Sequence, residues 1–205
     1  MQAFKKSLII SAALLATTAM WANTALQDSS ANATVQQDLS YEDQMLTKLF
    51  LNHVRDRNYE WALSIWEEIS QKDTEELQSA YLKALEGNGQ TEGLLTKHQE
   101  LLQKYPNNRS SRFFMAKHHF ARAETQYQRE MAKYQQNENA TTYAYLRREL
   151  SRLSEDYRKS RDILLKLLEE DPGQRAYLLL LRNCYMRLSN EAEVNKINQQ
   201  LEAME

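Results

Sequence analysis

The chain has 205 residues, a formal charge of −2, 26% charged side chains and a single cysteine. That length suits about one domain of ordinary size, the slight negative charge argues against nucleic acid as the main partner, and a lone Cys184 excludes an intrachain disulfide, leaving stability to a packed core. With only four glycines and two prolines, breaks in the chain are few and their positions carry information.

The N-terminal stretch MQAFKKSLIISAALLATTAMWANTA begins with Lys5 and Lys6, follows with an apolar run from about Leu8 to Ala16, and continues in small residues. This is the layout of a secretory signal. A membrane anchor is the competing reading, but a spanning helix needs roughly 20 apolar residues and Thr17 and Thr18 interrupt this run. We expect residues 1–22 to be a cleaved signal peptide, with Ala19, Ala22 and Ala25 each offering a small residue at the cut. The expected destination is the periplasm, with no stable membrane insertion after cleavage. Residues 23–40, NTALQDSSANATVQQDLS, are small and polar without an apolar period and read as a flexible leader.

From Tyr41 to Glu205 the text changes: Leu, Glu, Gln, Lys, Arg and Ala dominate and no segment alternates as a strand does. One all-α domain is predicted. NYEWALSIWEEI places Tyr59, Ala62, Trp66 and Ile69 on one helix face, with Leu46 and Leu49 on the helix before it. LLQKYPNNRSSRFF (Leu101 to Phe114) and LLEEDPGQRAYLLL (Leu167 to Leu180) align without gaps. Their prolines, Pro106 and Pro172, lie about two periods of roughly 34 residues apart. Proline ends one helix and is tolerated at the start of the next, so each marks a change from a helix to its antiparallel neighbour.

Between these breaks the apolar pattern lengthens. Phe113, Ala116, Phe120, Ala123, Tyr127 and Tyr134 follow a 3,4 spacing from Ser110 to about Gln136, broken at Glu130. Leu146, Leu150, Leu153, Tyr157, Ser160, Leu164 and Leu167 then form a heptad stripe. The linker QNENATT carries helix-start residues at Thr141 and Thr142. Two long helices are predicted, each roughly 40 Å at 1.5 Å per residue, joined as an antiparallel hairpin. No glycine or proline stands at Ser154-Glu155-Asp156, which favours a continuous helix over a turn there. In the last unit Leu178, Leu181 and Tyr185 share a face, and Ser189-Asn190 stands at a turn.

On these residues the chain resembles the tetratricopeptide repeat (TPR) proteins. Their units pair two antiparallel helices, the second carrying an aromatic, then a small residue, then a large apolar one. Tyr59, Ala62 and Trp66 fit that pattern, and so do Tyr157, Ser160 and Leu164, with Pro172 at the end. Arg148 and Arg182 depart from it where glycine or alanine should let helices approach. The resemblance implies a helical-hairpin solenoid and a protein–protein interaction scaffold for a partner protein or peptide. It also implies that the first helices of successive units line a concave face. Carried over by position, that face takes Thr47, Leu51, Lys83, Phe113, Lys117, Tyr145, Glu149, Arg152, Leu179, Asn183 and Met186.

No motif points to catalysis, a metal or a cofactor. His118 and His119 are adjacent and point about 100° apart on a helix, Glu67-Glu68 and Glu169-Glu170-Asp171 read as solvated helix faces and ends, and Cys184 has no activating base nearby in sequence. The alternative to a scaffold is a self-associating structural protein of the cell envelope, dimerising through the long hairpin. The export signal makes a direct prediction: mass spectrometry of the protein from its native host should show a start between Met20 and Leu26, and an intact Met1 in the membrane fraction would contradict it.

Overall fold

A computed structural model describes residues 40–204; the expected signal peptide and all of the leader but Ser40 lie outside the described residues. Eight helices follow one another there, with no strand between them: α1 (Tyr41–Arg55), α2 (Tyr59–Glu68), α3 (Glu75–Gly87), α4 (Leu94–Lys104), α5 (Arg109–Gln136), α6 (Ala140–Glu170), α7 (Arg175–Arg187) and α8 (Glu191–Glu202). Local chemistry sets their starts. Side chains of Ser40, Thr74, Asn108 and Asn190 accept from the amides of Asp43, Leu77, Ser111 and Glu193 at 3.1, 3.3, 2.9 and 3.3 Å, each satisfying a donor the helix leaves unpaired. At α6 the cap is Asn139 rather than Thr141 or Thr142. Its carboxamide accepts from both threonine amides while Thr142 Oγ1 accepts from the Asn139 N–H, a capping box with threonine at its third helical position.

Each helix packs on the next, and α1, α3, α5 and α7 also touch in succession, whereas no two of α2, α4, α6 and α8 do. The odd-numbered helices therefore form one layer and the even-numbered ones are held apart on the other. Close approach of α2 and α3 depends on Gly87, where an added Cβ would lie 2.1 Å from the Tyr59 ring. Apolar side chains gather in three clusters: Phe50, Val54, Ala62, Trp66 and Ile69 at the first three helices; Leu82, Leu85, Leu94 and Leu101 at α3 and α4; and Leu164, Leu167, Leu178, Leu181, Cys184 and Ile197 across the last three. Phe50 and Leu164 are fully buried, each contributing about 1.5–3 kcal/mol. Leu46 and Leu49, read as belonging to the helix before α2, both lie on α1, and Leu49 is exposed. The buried stripe of that helix runs through Asp43, Phe50 and Val54, and Leu49 lies off it.

Contacts between α5 and α6 occur in reverse order along the chain. Ser160 Oγ donates to the Ala116 carbonyl at 2.9 Å, Phe120 meets Tyr157 with ring centroids 5.5 Å apart, Arg122 pairs with Asp156, and Tyr134 lies 5.9 Å from Tyr143. α6 runs unbroken through Ser154. Ala116, Ser160 and Cys184, from α5, α6 and α7, have no exposed surface, and the Cys184 thiol lies 3.4 Å from Ser160 Oγ. Small side chains at this point let three helix backbones come together. Glu130, the break in the α5 stripe, is buried, its Oε1 accepting from Gln126 at 2.7 Å and Lys133 at 2.8 Å of its own helix.

A buried polar joint ties α3, α4 and α5. His98 is 3% exposed, with Nδ1 2.9 Å from Ser111 Oγ and its ring stacked on Phe114 at 3.8 Å. Asn108 donates to Glu75 at 2.9 Å and to Ser79 at 2.6 Å. Burial pushes the His98 imidazole from its ordinary 6.5 down to about 4, against the pull of Glu86 and with help from Lys117. The folded ring stays neutral to about pH 4, while the unfolded one takes a proton below about 6.5. Stability tied to this group is thus complete above pH 6.5 and falls as pH drops from 6.5 towards 4, by on the order of 3 kcal/mol. Denaturant unfolding across that range should show the slope, and His98→Gln, neutral throughout, should remove its share. Equal slopes in the two proteins would refute the assignment.

Candidate functional site

A groove of about 580 Å³ opens between α1 and α3 and reaches the first turn of α5. From α1 it is lined by Gln44, Thr47, Lys48, Leu51, Asn52, Val54 and Arg55, from α3 by Glu76, Ser79, Ala80 and Lys83, and from α5 by Ser110. Its floor is fixed by the joint just described, because Ser79 accepts from the Asn108 carboxamide and Asn108 caps the helix that carries Ser110. The groove walls are helix faces, so lining groups are held by regular backbone rather than by loops.

The groove is cationic. Lys48, Arg55 and Lys83 line it against a single carboxylate, Glu76. Among the described residues neither Lys48 nor Lys83 has an ion-pair partner, and Arg55 donates to Asn52 at 2.8 Å and lies 3.7 Å from Asp56. A concave wall lined mainly by one sign of charge raises the local concentration of ligands of the other sign.

Of the residues expected on the concave face, Thr47, Leu51 and Lys83 come together here. Lys117, further along α5, pairs with Glu86 of α3 and lies 5.4 Å over the ring of Phe113, which in turn packs on Tyr177 at 4.8 Å. On α7, Leu179 packs against the C-terminal core, Asn183 is half-buried and Met186 is exposed. Tyr145, Glu149 and Arg152 form a separate group on the first half of α6: the Arg148 guanidinium lies 5.0 Å from the Tyr145 ring centre, and Glu149 joins Arg148 at 3.4 Å and Arg152 at 3.2 Å. Because α6 is one continuous helix, these residues share an element with Tyr157 and Leu164 instead of occupying a first helix of their own.

Sequence reasoning missed Lys48, Asn52, Arg55, Ser79 and Ser110. A signal existed: Gln44, Lys48, Asn52 and Arg55 recur at i, i+4, i+8 and i+11 beside the buried stripe of α1. Other candidate chemistry resolves into packing. His119 lies 3.4 Å from Asp156, which Arg122 also holds, and burial raises the Cys184 thiol to about 11. Among the described residues no group of three His, Cys, Asp or Glu side chains is placed to hold a metal ion, and no helix is long and apolar enough to cross a membrane.

No family model and no curated protein matches the chain. Among solved structures, a Bacteroides ovatus ATCC 8483 chain provisionally described as a protein binding protein is 21% identical, covering 82% of this chain and 79% of its own, with a TM-score of 0.60. Two crystal forms of MamA from AMB-1 are each 12% identical, covering 80% of this chain and 91% and 98% of theirs, both with a TM-score of 0.38. The likeness to the Bacteroides chain shows a shared all-helical fold.

Proposed function

We propose that this protein is a non-catalytic interaction scaffold: a TPR-like solenoid, with α5 and α6 drawn out into a long central hairpin, that holds a segment of a partner protein in the groove of α1, α3 and α5. The export signal expected from the sequence sets that role in the periplasm. The observation that carries the reading is the groove itself, which is concave, built on helix faces, and lined by three cations and one carboxylate. Apolar stems of Leu51, Val54 and Ala80 offer contact area at its base, while Asn52, Ser79 and Ser110 offer hydrogen bonds. The excess of positive charge favours a segment that brings carboxylates of its own. The description of the Bacteroides chain as a protein binding protein agrees with this reading.

Affinity capture from the native envelope tests it. Lys48→Glu with Lys83→Glu alters two exposed side chains and should leave helix content unchanged. Recovery of the principal partner should fall by about tenfold or more, since each cation is replaced by a charge that repels the same ligand. Undiminished capture by the folded double variant would contradict the assignment.

A further inference from the structure

The surface is divided by charge in a way the groove does not use. On α2, Trp61, Ser64 and Glu68 share one outward face at i, i+3 and i+7, flanked by Glu60 and Glu67. Trp61 is 68% exposed, and the only cation from there to the start of α3 is Lys72, which caps the Glu67 carbonyl. Among the described residues Glu60, Glu67 and Glu68 have no ion-pair partner. α6 presents the opposite chemistry. Tyr145, Arg148, Arg152, Glu155 and Lys159 recur at a 3,4 spacing on the side away from the heptad stripe, and Arg147 and Arg158 flank them. α6 touches only α5 and α7, so this tyrosine–arginine line is uncovered, and it cannot meet α2 within one molecule.

We infer that the arginine face of α6 docks on the tryptophan–carboxylate face of α2 in a second copy of this chain. An exposed indole framed by carboxylates suits a guanidinium laid on the ring with its N–H groups directed to the acids. The spacing fits: seven residues, a rise of about 10 Å, separate Trp61 from Glu68 and also Arg152 from Lys159. One arginine can therefore cover the indole while the lysine reaches the glutamate. Charge selects the pairing. Two α2 faces brought together oppose carboxylate to carboxylate, and on α6 the cations outnumber Glu149 and Glu155, the acids they pair with along the helix, so the unlike pairing is the favoured one. We take the contact as head-to-tail: with a rotation that does not close on itself it leaves one free face of each kind at the ends and gives open chains. It uses neither Lys48 nor Lys83 and is independent of the groove.

Sedimentation velocity of the exported form tests this with two variants at exposed positions, Trp61→Ala with Glu68→Ala and Arg152→Ala with Lys159→Ala. At low salt the unaltered protein should pass from monomer through dimer to larger species as concentration rises, and about 0.5 M salt should return it to monomer. Each double variant alone should stay monomeric. Mixed, the two should form a species of twice the monomer mass and nothing larger, because each supplies the one face the other lacks. A monomeric unaltered protein, a closed dimer, variants that still assemble, or a mixture that stays monomeric would each overturn the proposal.

Discussion

Where Ala116, Ser160 and Cys184 meet, three helices approach with no solvent between them, and a single hydroxyl links all three by donating to the Ala116 carbonyl and lying within reach of the Cys184 thiol. The positions of α5, α6 and α7 depend on that contact. A larger side chain at any of the three would push backbones apart in a region packed to crystal-like density. With the register set there, the aromatic contact of Phe120 with Tyr157, the Arg122–Asp156 pair and the Arg187–Glu124 pair fall into place on both sides of it. The ion pairs are exposed on one partner and secure the register more than they stabilise the fold.

At the other end of the chain a polar joint does the equivalent work. His98, Ser111, Asn108, Ser79 and Glu75 connect three helices through side-chain hydrogen bonds, and Ser79 of this joint also lines the groove. The arrangement couples site geometry to a buried imidazole that must remain neutral, so groove and fold share one acid-sensitive element. The cationic groove and the two charged outer faces then divide the surface into regions of distinct chemistry. One suits a carboxylate-bearing segment, and the others suit each other.

The architecture was legible where an apolar period has only one structural solution. The heptad stripe from Leu146 to Leu167 can bury its seam only as a helix, and Pro106 and Pro172 cannot stand in a helix interior without breaking or kinking it, so the long helices and the flanking turns were readable directly. The start of α6 was misread by two residues, because threonine and asparagine are both competent caps and only the backbone decides which faces the amides. Leu46 and Leu49 were readable as part of one helix, but which of its faces is buried was not: Phe50 and Val54 lie inside and Leu49 lies outside. The groove was half legible. Thr47, Leu51 and Lys83 came from matching positions, but Lys48, Asn52 and Arg55 resemble any solvated helix face until α3 lies beside α1 and turns that face into a wall. Trp61 was hidden for a related reason, since tryptophan is ordinarily core and its exposure is a tertiary fact.

The central claim is that the odd-numbered helices present the surface a partner occupies. Hydrogen exchange of the exported form, followed by mass spectrometry with and without its captured partner, reads this segment by segment. Added protection should appear in α1 from Gln44 to Arg55, in α3 from Glu76 to Lys83, and in the first turn of α5, with α8 and the outer face of α2 unchanged. Protection confined to α6 or α8, with α1 and α3 exchanging as in the free protein, would contradict the account.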